Sequence, residues 1–403
     1  MKILIVAMSN SIHTARWIEK IVDKGWDIHL LPSIDIGKLH PLIKGIVVHH
    51  SIYSRDNNLN EDVQLKGLSV WNKSFATFLR ILINKFFPRY QVHRLKRLID
   101  KIKPDIIHSM ETQHAGYLVY ETRKLISGDF PKWLLTIWGS DLFLFGKLNE
   151  HKDKVKKVVL EADYFSCECQ RDVRIVKEYG YTGRIFPPFP ITAGFDFQHL
   201  AKLRQNGSAS NRRVIMLKGY QGWAGRAFVG LRALERCADL LGEYELVIYS
   251  ADKDVSIAAE LLTEKKGLSV SILESEQTSH DEILSYHGKA RISIGLSISD
   301  GISTSLLEAL AMGSFPIQSW TSCAEEWIVD GKTGILVHPE DPDEVEKALR
   351  LVLLDDNLVD NAATVNQKLA QDQLGYEKIE QMIVEQYKSI NNPENGDSSS
   401  SKR

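Results

Sequence analysis

Several features that mark special classes of protein are scarce in this chain of 403 residues. Its formal net charge is only −2, so the overall charge gives no argument for nucleic acid as a partner. No apolar run reaches the ~18 residues of a membrane-spanning helix. The apolar start MKILIVAMSNS is too short for a signal peptide and lacks a small-residue cleavage site. We therefore expect a cytoplasmic protein, and the length predicts two domains.

Cysteine is also scarce, with four residues: Cys167, Cys169, Cys237 and Cys323. Four cysteines in so long a chain do not make a disulfide framework. The pair Cys167-x-Cys169 lacks a second pair at the spacing of a zinc site. We expect reduced, mostly buried thiols and no metal site.

Short apolar runs alternate with helical patterns along most of the chain. In the first half, KILIVAM (2–8), a helix near 12–24 and DIHLLPS (27–33) form a strand–helix–strand unit. The same rhythm restarts in the second half at RVIMLKG (213–219). Alternation of this kind favours parallel sheets covered by helices, so we predict two doubly wound α/β domains. Ligands are expected beyond the carboxyl ends of the strands.

The alternation of predicted strands and helices is interrupted in the middle of the chain. IFPPFPITAGFD (185–196) carries three prolines and a glycine, and polar QNGSASNRR (205–213) follows. We place a first domain at 1–190, a linker at 191–212 and a second domain at 213–365. An amphipathic helix at 366–390 is expected to pack back onto the first domain, and the polar tail 391–403 to be disordered.

The loop KGYQGWAGR (218–226) follows a predicted strand and precedes a helix. Its glycines let the backbone approach a ligand closely, and Lys218 and Arg226 add two cations. With a helix N-terminus beside them, these groups suit a diphosphate. The alternative is a glycine-rich turn whose two cations are merely solvated.

The stretch DGISTSLLEALAMG (300–313) follows the predicted strand RISIGLS. Gly301 allows a tight turn. Ser303, Thr304 and Ser305 are suited to begin a helix, and the first N–H groups of that helix could bind an anion. Glu308 lies about one turn into that helix. It can accept hydrogen bonds from a vicinal diol such as a ribose, or it can close a capping box with Ser305.

Taken in order, these motifs resemble the retaining glycosyltransferases of family 4, which have the GT-B fold and build bacterial cell-surface polysaccharides. The resemblance covers a basic glycine loop after a strand, acid-Gly-x6-Glu-Ala-Leu-Ala-x-Gly-x-x-Pro, and Glu-x-Ile-x-x-Gly-x-x-Gly-x-Leu-Val. It is strongest over 213–350. It implies two Rossmann-like domains that face each other across a cleft.

The resemblance assigns roles to residues. Lys218 and Arg226 would hold the donor diphosphate, although the family usually has an Arg and then a Lys at shorter spacing. Glu308 would bind the ribose. Asp300 stands where a Glu is usual near the transferred sugar, and its carboxylate lies about 1.5 Å further back. Further donor-binding positions are Gly219, Gly225, Leu273, Glu274, Gly301, Ile302, Ser303, Thr304 and Ser305.

The acceptor side would lie in the first domain. Two histidines that are common in the family are replaced by Met110 and Trp138. The polar residues nearby that could contact an acceptor are Asn10, Ser11, His13, Glu111, His114 and Asp141. For His13, packing of the first helix is an equal alternative, and for Asp141 so is the capping of a helix.

Residues 70–103 carry nine Lys or Arg and one acid, Asp100, hence a net charge of +8. Aromatic residues are interleaved with the cations. A basic, aromatic, amphipathic stretch is typical of a segment that lies on an anionic membrane. An ordinary surface helix with a basic face is the alternative, and nucleic acid is a third.

With these residues in place, the resemblance implies a metal-independent hexosyltransferase. It would move a sugar from a nucleotide diphosphate sugar to a hydroxyl of a lipid-linked or oligosaccharide acceptor, with retention and without a cofactor. It would work on the inner face of the cell membrane. A sugar-nucleotide epimerase and a non-catalytic nucleotide-sugar-binding protein of the same fold are alternatives. A dinucleotide-dependent oxidoreductase would need Gly-x-Gly-x-x-Gly after the first strand, where MSNSIH stands.

Overall fold

The computed structural model describes residues 1–54, 62–192, 194–274 and 278–392. The chain forms two compact units. The first consists of Met1–Thr192 together with Ile379–Arg403, and the second of Ala193–Lys378. From residue 393 onward, the tail that we expected to be disordered lies outside the described residues.

The first unit contains a sheet of eight parallel strands. In chain order they are β1 (Lys2–Ala7), β2 (Asp27–Pro32), β3 (Val47–Ser54), β4 (Gln64–Val70), β5 (Ile106–Met110), β6 (Lys132–Thr136), β7 (Tyr164–Ser166) and β8 (Arg184–Ile185). Their order in the sheet is β4-β3-β2-β1-β5-β6-β7-β8. The winding direction therefore reverses between β1 and β5, which is where a doubly wound sheet opens a crevice for a ligand.

The helices of the first unit are α1 (Ile12–Glu19), α2 (Lys73–Phe86), α3 (Tyr90–Ile102), α4 (Tyr117–Arg123), α5 (Ser140–Phe143), α6 (Lys152–Glu161) and α7 (Gln170–Glu178). A π-helical turn, Thr112–Gly116, leads into α4. Helices cover both faces of the sheet, so its inner strand β1, KILIVA, is apolar after its first residue. Every residue of β5 is buried.

The second unit contains a parallel sheet of six strands. They are β9 (Val214–Lys218), β10 (Glu245–Tyr249), β11 (Ser269–Leu273), β12 (Ala290–Gly295), β13 (Phe315–Ser319) and β14 (Ile335–Val337). The order β11-β10-β9-β12-β13-β14 places the reversal between β9 and β12. The prediction of two doubly wound α/β domains is thus confirmed.

The helices of the second unit are α8 (Phe197–Leu203), α9 (Ala227–Arg236), α10 (Lys253–Lys266), α11 (His280–Lys289), α12 (Thr304–Met312), α13 (Pro342–Leu354) and α14 (Asp356–Gln373). Alternate strand residues enter two cores, with Ile215 and Leu217 on one face of the sheet and Val214 and Met216 on the other. Helix α12 is buried from Ser305 to Met312, as expected of a helix that is apolar all round.

A last helix, α15 (Tyr376–Asn391), belongs to the first unit from Ile379 onward. Its Tyr387 hydroxyl accepts a hydrogen bond from Trp17 Nε1 at 2.9 Å and lies 2.7 Å from His108 Nδ1. All three residues are fully buried. The far end of the chain therefore completes the core of the first unit.

The observed boundaries differ from the expected ones. We placed a linker at 191–212. From residue 193 this stretch belongs to the second unit, and it contains α8. A proline-rich segment does not prevent the residues that follow it from forming a packed helix. The helix placed at 366–390 is two helices, α14 and α15, with a break at Leu374 and Gly375. The second unit thus extends to Lys378 rather than to 365.

Candidate functional site

The loops that follow β9 and β12 are joined at the reversal point of the second sheet. The Arg226 amide donates to the Leu296 carbonyl at 3.0 Å, and the Ile298 amide donates to the Ala224 carbonyl at 2.9 Å. The glycine loop and the segment that leads into α12 are therefore one structure. The strand order brings together two motifs that lie about 80 residues apart in the sequence.

Two glycines of the first loop are required by close backbone contacts. A Cβ on Gly225 would lie 1.9 Å from the Tyr220 carbonyl oxygen, and one on Gly219 would lie 2.6 Å from Ala251 Cα. Neither contact can be relieved by moving a flexible side chain. Gly225 thus lets the loop fold tightly on itself, and Gly219 lets it pass close to the segment that follows β10.

Asp252, which lies immediately before α10, organises the tip of this loop. Its Oδ2 accepts hydrogen bonds from the amides of Gln221 and Gly222, both at 2.8 Å. Burial raises the pKa of Tyr220 in the same loop, and the charges of Asp252 and Asp300 raise it further. The carboxylates of Asp252 and Asp300, which belong to neighbouring loops, thus lie near the phenol of this loop.

The two cations differ in their surroundings. Lys218 ends β9 and is half-buried. Arg226 stands at the N-cap of α9; its Nε lies 2.9 Å from Glu340 Oε1, and its Nη1 donates to the Gly225 carbonyl at 2.7 Å. A guanidinium has five N–H donors, so these two bonds leave donors for a phosphate.

The helix that follows β12 begins as the sequence suggests. Ser303 stands at the N-cap of α12, and its hydroxyl lies 2.8 Å from that of Ser305. Asp300 Oδ1 accepts from the Gly301 amide at 2.9 Å. Gly301 and Ile302 are buried and Thr304 is half-buried. The N-terminus of α12 presents backbone N–H groups and the positive end of the helix dipole, which suit an anion.

Glu308 does not close a capping box, so that alternative is wrong. The N-cap is Ser303, which places Glu308 at the fifth helical position rather than the third. Its Oε1 lies 2.7 Å from His280 Nε2, and its Oε2 lies 3.7 Å from His287 Nε2. The carboxylate is thus held from the side of α11.

The remaining donor-side positions lie at the end of β11. Leu273 is buried and pairs in register with Tyr249 of β10. The Glu274 carbonyl accepts a hydrogen bond from the Thr278 amide at 2.9 Å. Main-chain contact with a nucleobase at these two residues stays a prediction.

In the first unit, the predicted acceptor residue Glu111 turns inward. It has a backbone φ of 76°, which is unusual for a residue other than glycine. Its carboxylate accepts from the amides of His114 at 2.8 Å and Ala115 at 2.5 Å. Burial and, less strongly, the charge of Asp141 together raise the pKa of Glu111 to about 8. Glu111 thus shapes the turn after β5.

Asp141 also faces backbone groups. Its Oδ2 accepts from the Thr112 amide at 3.0 Å and its Oδ1 from the Trp138 amide at 2.9 Å. It lies in the first turn of α5, whose N-cap is Gly139, so it is not a simple N-cap. Burial and, less strongly, the charge of Asp172 together raise the pKa of Asp141 to about 7.

The other acceptor-side candidates surround the same reversal point. Ser11 caps α1 by accepting from the His13 amide at 3.2 Å. The His13 ring packs on Trp138 with centroids 5.0 Å apart, so the tryptophan that replaces a family histidine contacts a histidine of α1. Asn10 and His114 are exposed. Contact of these residues with an acceptor remains a prediction.

Sequence reasoning missed several residues of the donor-side structure. Asp252 had a usable signal, because an acid directly after the strand ELVIYSA stands at a strand's carboxyl end. His280 had none, since its contact with Glu308 depends on the packing of α11 on α12, 28 residues apart.

Two family models match the chain. Residues 204–368 match the model described as glycosyl transferases group 1, and residues 75–167 match the one described as glycosyl transferase 4-like. A search of curated proteins finds no significant match. Each unit thus contains a segment that matches a glycosyltransferase family model.

Solved structures of the same fold cover nearly the whole chain. Sucrose-phosphate synthase of Thermosynechococcus elongatus is 14% identical with a TM-score of 0.69, over 97% of this chain and 99% of that one. A glycosyltransferase of Rickettsia africae is 15% identical with a TM-score of 0.67, over 97% and 98%. HepE of Anabaena, solved with UDP-glucose, is 14% identical with a TM-score of 0.65, over 96% and 100%. At these identities the likeness shows the GT-B fold.

Proposed function

We propose that this protein transfers a sugar from a nucleoside diphosphate sugar to a hydroxyl of a saccharide or lipid-linked acceptor, in cell-surface polysaccharide synthesis. The observation that carries the proposal is the meeting of three elements at the β9–β12 reversal. These are the loop with Lys218 and Arg226, the N-terminus of α12, and Glu308. HepE, a structure of the same fold, was solved with UDP-glucose.

In this proposal the protein accelerates the reaction mainly by electrostatic stabilisation of the leaving group. The nucleoside diphosphate gains negative charge as the bond to the sugar breaks, and Lys218, Arg226 and the α12 N–H groups stabilise that charge. Positive charge comes from the protein, so we propose a metal-independent reaction. Asp300 at the mouth of α12 contacts the transferred sugar. Retention of configuration follows from reaction on one face of the sugar.

A thermal-shift screen of nucleotide sugars tests the donor assignment. A donor that binds the native state stabilises it by mass action, by about 2.7 kcal/mol at a hundredfold excess over Kd. For a unit of about 190 residues, this raises the midpoint by roughly 5–10 °C. The proposal fails if every nucleoside diphosphate sugar leaves the midpoint unchanged. Release of a free epimeric sugar nucleotide without an acceptor would instead identify an epimerase.

We further propose that α2 rests on an anionic membrane, where a lipid-linked acceptor would be met. No described helix is long and apolar enough to cross a bilayer. Helix α2 instead has two apolar faces. Ala76, Leu79 and Ile83 pack on β3, whereas a second stripe faces outward. The large apolar residues exposed in and beside α2 are Trp71, Phe75, Phe78, Ile81, Phe86 and Phe87.

The charge available to a membrane is smaller than the sequence count. Arg80 is buried, and its Nη1 donates to the Ile52 carbonyl at 2.8 Å. Arg94 donates to the His49 carbonyl at 2.7 Å. Lys73, Lys85 and other cations remain exposed around the aromatic stripe. Cations beside aromatics on one surface match the interface of an anionic bilayer, where each cation adds ~1 kcal/mol.

Replacing Trp71, Phe75 and Phe78 together by alanine should reduce binding to phosphatidylglycerol vesicles at least tenfold. Each aromatic contributes ~1.5 kcal/mol or more when it leaves water. The matched control replaces three exposed apolar residues of the second unit, Leu261, Leu351 and Leu354, and should bind as the wild type does. Flotation through a density gradient measures both.

Two results would contradict the membrane proposal. One is the absence of vesicle binding by the wild type at any content of anionic lipid. The other is a dimer in solution that the triple variant converts to a monomer, because the aromatic stripe would then be an interface between copies.

A further inference from the structure

Two histidines on one face of α11 bracket the Glu308 carboxylate. His280 opens the helix and His287 lies seven residues later, so the two side chains point in nearly the same direction. His280 Nε2 lies 2.7 Å from Oε1, and His287 Nε2 lies 3.7 Å from Oε2. The carboxylate that we assign to the ribose is therefore part of a three-residue cluster.

His287 is the inner member and is fixed by a polar network. It is fully buried, its Nδ1 lies 2.9 Å from Ser293 Oγ, and that hydroxyl lies 2.7 Å from Ser314 Oγ. The ring also meets Tyr249 edge-on with centroids 5.5 Å apart. Burial lowers the pKa of His287 to about 4, so the ring is neutral near pH 7. Its Nε2 lies 3.7 Å from Oε2, too far for a hydrogen bond, so the ring packs beside Glu308 and does not offset its charge.

His280 is the outer member and makes the short contact. Its side chain is 42% exposed, whereas that of Glu308 is only 6% exposed. A carboxylate so far from water is costly to keep ionised unless a hydrogen-bond donor or a cation contacts it. The Nε2–H of His280 supplies such a contact on the solvent side of the carboxylate.

We infer that His280 is a positioning residue for nucleoside recognition: it holds the Glu308 carboxylate ionised and aimed for the 2′ and 3′ hydroxyls of the donor ribose. A carboxylate can accept about four hydrogen bonds, so the bond from His280 is compatible with two more from a diol. The inference rests on the proposed donor site. It adds that the diol contact depends on a residue of α11 that does not touch the ligand.

Isothermal calorimetry with UDP, GDP, ADP and CDP first finds the nucleoside diphosphate that the wild type binds best. That nucleotide and its 2′,3′-dideoxy analogue are then compared on His280→Ala, His280→Gln and His280→Asn. The glutamine amide nitrogen reaches the position of the imidazole Nε2, whereas the asparagine nitrogen reaches only that of Nδ1. The two amides are therefore matched in chemistry and differ in reach.

We expect the alanine and asparagine variants to bind the ribonucleotide about tenfold more weakly, since a hydrogen bond to a charged group of ~1.5 kcal/mol corresponds to that factor. The glutamine variant should stay within about threefold of the wild type. All four proteins should bind the dideoxy analogue equally. Unchanged unfolding midpoints in the variants exclude a folding defect.

Other outcomes overturn the inference. Tighter ribonucleotide binding by the alanine variant would show that His280 blocks the site. Equal losses for the ribonucleotide and the dideoxy analogue would show a general structural role, and no loss would show no role. If the wild type binds none of the four nucleotides, the proposed donor site itself fails; in the other cases only the role of His280 fails.

Discussion

Replacing Lys218 or Arg226 by alanine is expected to abolish detectable sugar transfer while the fold persists. Both cations are assigned to the diphosphate, whose charge rises most in the transition state. Removing one such stabilising group costs ~3–4 kcal/mol, so kcat/KM should fall roughly 10²- to 10³-fold or more. Neither side chain is part of an apolar core, so unfolding midpoints should change little. Turnover assays and thermal unfolding measure the two effects.

Matched controls separate this role from a general effect of charge. Arg232 lies on the same helix as Arg226 and pairs with Glu235 at the surface, and Lys265 is exposed near the end of α10. Arg232→Ala and Lys265→Ala should keep the wild-type rate. Wild-type rates in both the Lys218 and Arg226 variants would contradict the diphosphate assignment. Because Arg226 also contacts Glu340, Glu340→Gln tests whether that pairing competes with the donor.

The second large effect is expected from Glu308→Gln. The substitution keeps the size of the side chain and removes its charge, so hydrogen bonds from the ribose hydroxyls lose the ~1.5–3 kcal/mol typical of bonds to a charged group. The Kd for the nucleoside diphosphate should therefore rise roughly 10- to 100-fold. Calorimetric titration of the wild type and the variant measures this change.

A nucleotide without the ribose hydroxyls again tests whether the loss of affinity is specific to them. The weakening should disappear with a 2′,3′-dideoxy nucleotide, which lacks both hydroxyls. The control Glu264→Gln changes an exposed carboxylate on α10 and should leave the affinity unchanged. If Glu308→Gln binds the ribonucleotide as tightly as the wild type does, Glu308 serves only the packing of α11 on α12.

Much of the fold could be predicted because its signals are local. Strands that are buried on both faces are mostly apolar, as KILIVA and VIMLK are apart from their lysines. The helices between them instead repeat their apolar residues with a period of about 3.6. The limits of the units could not be predicted in this way. Whether the stretch from Phe195 to Leu203 is a linker or packs as α8 depends on contacts with distant residues, such as that between Phe195 and Leu374.

The same distinction between local sequence signals and tertiary contacts applies to the candidate site. Lys218, Arg226, Ser303 and Glu308 lie in motifs whose spacing follows from strand–loop–helix geometry, so the sequence locates them. Which groups hold them is a tertiary property. The contact of Glu308 with His280 joins two helices, and the inward turn of Arg80 depends on the Ile52 carbonyl. Composition alone therefore overstated the charge that α2 offers to a membrane.

Tyr387, at the end of the chain, has a consequence for the order in which the protein is made. The second unit is one continuous segment that ends at Lys378, whereas the first needs residues from both ends of the chain. Until Tyr387 leaves the ribosome, Trp17 Nε1 and His108 Nδ1 lack the hydroxyl that they contact in the finished core. Domains usually fold in their order of synthesis. Here the unit that is synthesised first can complete its core only last.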